Sequence, residues 1–229
     1  MKIGSILLEL QRSFSNAAGT IVFGMEDGTV SIFGLIFGVA ATTSDTKIVL
    51  IAGASGAAAA AISMMAGAYL DVETTRDETN ATRSSLYAAT DSVTSLPDYL
   101  AKAGLTSEQS SALTAAVQND PKAVGGLLLA LRGAPVTPLN PLEQALWMLL
   151  ADFFAAAVPI LPFVLLAVPQ ARIVSGAVTL TLLVGLGFGR AQIAKRSAIR
   201  TVLETVSIGV AAALAGVAVG VLIDHLFSK

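Results

Sequence analysis

Five uninterrupted apolar stretches, at residues 19–41, 48–70, 145–167, 173–193 and 206–227, constrain this chain more than any other feature. Each holds about 20 residues, enough for a helix to span the ~30 Å hydrocarbon core of a bilayer. Backbone in hydrocarbon must satisfy its own polar groups, so a chain crosses either as helices or as a closed barrel. These runs are continuous instead of alternating and are rich in Ala and Gly, which argues against the barrel. The expected fold class is all-α: a polytopic membrane protein with five transmembrane helices and a small cytoplasmic helical insert. Composition agrees, with 54% hydrophobic and 13% charged residues against roughly 25% charged in an average soluble domain.

The same composition removes several function classes. The chain has no cysteine and one histidine, so it offers no disulfide framework, thiol nucleophile or His/Cys metal cage. A net charge of −2 supplies no concentrated basic surface for nucleic acid. No nucleophile stands beside a base, and Gly185, Gly187 and Gly189 lie inside an apolar span without the preceding strand that a nucleotide fold needs. An enzyme is not expected, nor a permanently bound cofactor.

Four segments follow from the pattern. Residues 1–18 carry Ile3, Ile6, Leu7, Leu10 and Phe14 at helical spacing and read as an interfacial amphipathic segment. Residues 19–70 form a transmembrane hairpin joined by the polar turn from Thr42 to Lys47. Residues 71–142 are the cytoplasmic helical insert, and residues 143–229 hold spans three to five. Within the insert, residues 86–93 extend the second span. Pro97 starts a short helix ended by Gly104, Thr106 caps another, and Asp120 with Pro121 opens a further one ending at Gly133. Pro135, Pro138 and Pro141 form a stiff connector. Of the 14 Lys and Arg residues, all but Lys47, Arg172 and Lys229 fall on one side of the spans. That excess puts the N-terminus and the insert in the cytoplasm and the C-terminus outside. Without a cleavable targeting segment, a prokaryotic cell membrane is the simplest location.

Ionisable groups inside spans are the places to seek chemistry, since each costs at least ~2.5 kcal/mol unpaired in hydrocarbon. Glu26 and Asp27 lie in the first span, Asp152 about two turns into the third, and Glu204 just before the fifth. Asp152 could pair with Arg190, and Glu204 with Arg200. Thr20, Gly24, Asp27, Ser31, Gly34 and Gly38 follow a near-heptad period, a small-residue seam that admits another helix closely. Such a seam is equally an ordinary packing device, and Met64 and Met65 can be core filler instead of soft ligands. Placed against its own copy, the seam makes a homodimer in which two Asp27 carboxylates approach each other and hold a cation between them.

A resemblance covers nearly the whole chain. Val22-Phe23-Gly24-Met25-Glu26-Asp27-Gly28-Thr29-Val30, running on to Gly38-Val39-Ala40, resembles the Asp-Gly signature of the vacuolar iron transporter family, the CCC-type iron and manganese transporters. Ala61-Ile62-Ser63-Met64-Met65-Ala66-Gly67-Ala68-Tyr69-Leu70 is similar to its Ser-Met and Gly-x-Tyr stretch. Ala103-Gly104-Leu105-Thr106-Ser107-Glu108 and Asn119-Asp120-Pro121 look like its helical insert. Pro159-Ile160-Leu161-Pro162-Phe163 resembles its third-span break, and Leu203-Glu204 with Ile208-Gly209 and Ala211-Ala212 the start of its fifth span.

The resemblance implies a homodimeric, proton-coupled transporter that moves Fe²⁺ or Mn²⁺ out of the cytoplasm. Asp27 then matches the pathway carboxylate and Met64 the pathway methionine, with Glu26 as an added candidate ligand. A carboxylate suits Mn²⁺ and Fe²⁺, and a thioether disfavours Ca²⁺ and Mg²⁺. The chain also departs from the family pattern. Gly19 and Thr20 stand where a second acid is common, Gly56 where a glutamate is, and Leu127, Leu128 and Leu131 where the insert carries ligands. The insert is therefore expected to serve packing or dimerisation, with that leucine face against a helix. The departures leave a second possibility open, a non-transporting membrane scaffold or accessory subunit in which Asp27 hydrogen-bonds Ser31 or Thr20.

Overall fold

The computed structural model describes residues 3–88, 92–131 and 140–227, with the side chains of residues 3, 5, 6, 83, 85–88 and 92–95 left aside. Nine helices and no strand make up the described residues: α1 Ile3–Asn16, α2 Ala18–Thr42, α3 Thr46–Ala88, α4 Ser92–Lys102, α5 Ser107–Val117, α6 Pro121–Leu131, α7 Pro141–Leu165, α8 Val168–Ala194 and α9 Ala198–Phe227. The chain is an all-α polytopic membrane protein. Five of the helices, α2, α3, α7, α8 and α9, are long and apolar enough to cross a bilayer.

The chain divides into two compact units, one of residues 1–69 and 142–229 and the other of residues 70–141. Helix α3 belongs to both. Its 43 residues extend ~65 Å at 1.5 Å per residue, about twice a hydrocarbon core. Asp45 starts it, accepting a hydrogen bond from Lys47 N–H at 2.8 Å and so capping a helix end that would otherwise carry unpaired donors.

In the first unit α2 is the central helix, and small residues on two of its faces set the packing. A β-carbon on Gly34 would stand 2.9 Å from the Ala212 carbonyl oxygen, and one on Gly38 would stand 2.6 Å from that of Gly216. Helices α2 and α9 thus touch backbone to backbone in parallel, the close approach that replaces a hydrophobic driving force in lipid. One turn or more away, Gly24 meets Met148 and Ala151 of α7, and Gly28 meets Asp152. Thr20 donates to Gln144 Oε1 at 2.7 Å. These contacts correct the seam expected to face a second copy: Thr20, Gly24, Gly34 and Gly38 are consumed inside one protomer, because α9 presents a complementary seam of its own in Gly216 and Gly220. Among the six seam positions Ser31 is fully on the outside and Asp27 is half-buried.

Opposite α9, the core of this unit is built from Ile32, Ile36, Ala40, Val49, Ala57, Ala156 and Phe163. Pro159 and Pro162 lie within α7 without ending it. Each removes an amide donor from the helix ladder, and Ser175 of α8 ties itself to this turn by donating to the Pro159 carbonyl at 2.8 Å. Helix α1 exposes Leu7, Leu8, Leu10 and Phe14. Its end is pinned to α7, where Trp147 Nε1 donates to Ser13 Oγ at 2.8 Å and packs edge-on against Phe14.

The second unit has its own core of Leu96, Leu100, Val124, Leu128 and Leu129, with Leu127 and Leu131 packed against it. The leucine face of α6 therefore packs on α4, as its apolar character requires. Helix α4 begins at Ser92, so Pro97 does not start it as expected but sits inside it, past the first turn, where it removes an amide donor from the helix ladder. Gly104 takes φ +93°, which a side chain would resist, and stops the helix from continuing. Asp120 caps α6, accepting from Lys122 and Ala123 N–H at 2.9 and 3.2 Å. Gly133, Pro135 and Pro138 lie outside the described residues, whereas Pro141 is the first residue of α7 and not part of a connector. Thr106 and Gln109 form a reciprocal capping box on α5, with bonds of 3.3 and 2.9 Å. Thr106→Ala should cost the insert about 1 kcal/mol, read as a lower denaturation midpoint.

Candidate ion site within the membrane

Three consecutive residues of α2 meet three different environments, since each step turns the helix by about 100°. Glu26 points to α8 and α9. Its carboxylate pairs with Arg190 at 3.4 Å and accepts a hydrogen bond from Thr205 Oγ1 at 3.0 Å. Asp27, beside it, makes no hydrogen bond or ion pair with any described residue. Both carboxylates line a cavity of about 400 Å³ whose wall includes Val30, Arg190, Thr205 and Ile208. Gly28, the third, brings in Asp152 of α7.

Asp152 is fully buried, and neither of its carboxylate oxygens has a hydrogen-bond partner. The expected Asp152–Arg190 pair does not form, because Arg190 is taken by Glu26. Glu204 does pair with Arg200, at 3.1 Å on one helix face. Thr20 spends its hydroxyl on Gln144 and Ser31 faces outward, so neither holds Asp27 as the scaffold reading expected.

Met64 comes within about one turn of the depth of Asp27 by helix register. Gly53 of α3 packs on Ile36, and Gly56 on Ile32 and Leu35, so the antiparallel pairing carried downward brings Ala61 to the level of Asp27. Ala61 is buried. Met64 and Met65, three and four residues on, share its face and are half-buried. Among the described residues, no three Asp, Glu or His side chains converge as a preformed metal cage. What the protomer offers is one free carboxylate at a cavity, one buried and unpartnered carboxylate, and thioethers within a turn of that depth.

The glutamate–arginine pair makes a prediction. The Glu26 side chain is 14% exposed and that of Arg190 38%, between the surface and buried limits of ion-pair energetics. Arg190→Ala should therefore cost about 2 kcal/mol, seen as a lower melting temperature in detergent, and the double variant with Glu26→Gln should recover most of it.

The model of the VIT family matches residues 18–221, which takes in four of the long apolar helices, the insert and all but the last six residues of α9. The chain belongs to the VIT family. It is 25% identical over 213 residues to vacuolar iron transporter 1 of Arabidopsis thaliana, covering 90% of this chain and 85% of that one. It is 27% identical over 206 residues to the vacuolar iron transporter of Centaurea cyanus, with 85% and 83% covered. Against vacuolar iron transporter 1 of Eucalyptus grandis it is 25% identical over 203 residues, with 85% and 82% covered. In this VIT-family chain, sequence reasoning singled out Asp27, Glu26 and Met64 as candidates and did not foresee the isolation of Asp152. The signal available was a carboxylate in the middle of an otherwise apolar span, two turns before the proline pair.

Proposed function

We propose that the protein moves divalent iron or manganese across its membrane, out of the cytoplasm, in exchange for protons and as a homodimer. The observation that carries this is Asp27, a carboxylate at mid-helix that lines a cavity and is paired with no cation among the described residues. Asp27 and Met64 are the proposed ligands of the moving ion. Glu26 is paired with Arg190 and becomes a ligand only if Arg190 swings away. A carboxylate that takes a proton when the metal leaves couples the two fluxes in opposite directions. The names of the plant relatives, vacuolar iron transporters, favour iron as the cargo.

The dimer follows from exposure. Phe23, Asp27, Ser31 and Leu35 recur every four residues on α2 as its outward stripe, and Phe23 and Leu35 are well exposed. A carboxylate on that stripe would face lipid in a lone protomer, which is expensive, whereas a second copy covers it and adds its own Asp27. Ser31→Cys should form an inter-subunit disulfide on oxidation, because the chain contains no native cysteine. Leu214→Cys, on an exposed face of α9, should not. A monomer-sized band for both variants would refute the dimer along α2.

The lysine and arginine bias supports a cytoplasmic N-terminus and insert. The relatives carry vacuolar names; in a vacuolar or a cell membrane alike the proposed direction is away from the cytoplasm. The absence of a three-ligand cluster among the described residues favours the second reading, a scaffold that keeps the family fold without transport. Uptake of Fe²⁺ and Mn²⁺ into proteoliposomes separates the two. The insert contributes no metal gathering, and the full chain should bind no Fe²⁺ through Leu127, Leu128 or Leu131. Substituting Ala at any of these should leave the stoichiometry of bound Fe²⁺ unchanged.

A further inference from the structure

Asp152 has no use in the function just described, yet it is the most costly side chain in the membrane body. It is 0% exposed, lies in the middle of α7, and both of its oxygens lack a partner. Its position is enforced by Gly28. A β-carbon there would come within 2.8 Å of Asp152 Oδ1 and closer still to its carbonyl oxygen, so only glycine admits α7 at this depth. Asp27 immediately precedes that glycine on α2. A second polar atom inside the same helix bundle, Thr179 Oγ1 of α8, is likewise buried and unpartnered.

We propose that Asp152 supplies a second carboxylate to the ion site from within the same protomer. An unpartnered carboxylate is kept in a bilayer where a cation visits it, because it is otherwise an uncompensated cost. Asp27 alone offers one hard ligand per protomer; with Asp152 behind Gly28, a divalent ion meets two carboxylates without borrowing one from another subunit. Oxygen ligands of this kind suit Mn²⁺ and Fe²⁺. Arg190 does not compete for Asp152, since it is paired with Glu26, whose other oxygen accepts from Thr205. The inference rests on the proposed transport of a divalent ion and adds a residue to its site.

The test uses the purified full-length protein and Mn²⁺ alone, with free Mn²⁺ followed by its electron paramagnetic resonance signal. Asp152→Asn keeps the shape and should weaken Mn²⁺ binding at least tenfold, while Glu204→Gln, whose carboxylate lies outside the site, should bind as wild type does. A wild-type measurement covers the case in which Asp152→Asn fails to fold. An apolar carbodiimide should label Asp152 in the metal-free protein, and Mn²⁺ should protect it, as read by peptide mapping. Wild-type affinity in Asp152→Asn, or labelling of Asp152 indifferent to Mn²⁺, would overturn the assignment. If Asp27→Asn abolishes binding while Asp152→Asn does not, the proposed function stands and this inference alone falls. If the wild type binds no Mn²⁺, both fall.

Discussion

Proteoliposomes carrying Asp27→Ala should take up no more Fe²⁺ than empty vesicles, a loss of at least tenfold, while the variant purifies in the same oligomeric state and yield as wild type. Asp27 holds no other residue in place: it makes no hydrogen bond or ion pair with a described residue, and it sits at the cavity edge half-buried. Removing a lone carboxylate from the hydrocarbon region relieves a cost and breaks no packing. Stability should therefore hold or rise as transport disappears. A structural residue would show the opposite pairing of effects, with stability and activity falling together.

The second large effect concerns the glycines. Gly38→Leu should leave little folded protein in detergent, and Gly34→Leu should behave alike. Added side chains at these positions meet the carbonyl groups of Gly216 and Ala212, which belong to a helix backbone and cannot rotate aside. Overpacking against flexible side chains costs about 1–3 kcal/mol; against backbone the cost should reach or pass the upper end, since α9 must move as a body. The expected outcome is aggregation or loss of the monodisperse peak, not a clean dimer-to-monomer shift. A stable, folded monomer from Gly38→Leu would mean that the seam joins two protomers after all.

The five spans, the helical character of the insert and two of its helix caps were legible because they rest on local chemistry. Length of apolar run, Asp120 before Pro121 and the capping residue Thr106 need no tertiary knowledge. The direction of the small-residue seam was not legible. Periodicity shows that a helix comes close, but Gly34 and Gly38 fit α9 of the same chain as well as they fit a second α2, and only the match with Gly216 and Gly220 decides between them. Asp152 was hidden for a related reason: its nearest cation in the sequence pattern, Arg190, is claimed by Glu26, a choice made by how α2, α8 and α9 meet. Asp27 and Met64 could be picked out through resemblance, whereas their relative depth depends on the register of α2 against α3.

Ion flux itself tests the central claim most directly. Wild-type protein reconstituted in vesicles, with Fe²⁺ and Mn²⁺ offered in parallel across an imposed proton gradient, should accumulate at least one of them, and the accumulation should vanish when the gradient is collapsed. Asp27→Ala vesicles should match empty ones under the same gradient. Uptake by wild type indistinguishable from that of protein-free vesicles for both ions, in a preparation shown to be folded, would contradict transport and leave the scaffold reading in its place.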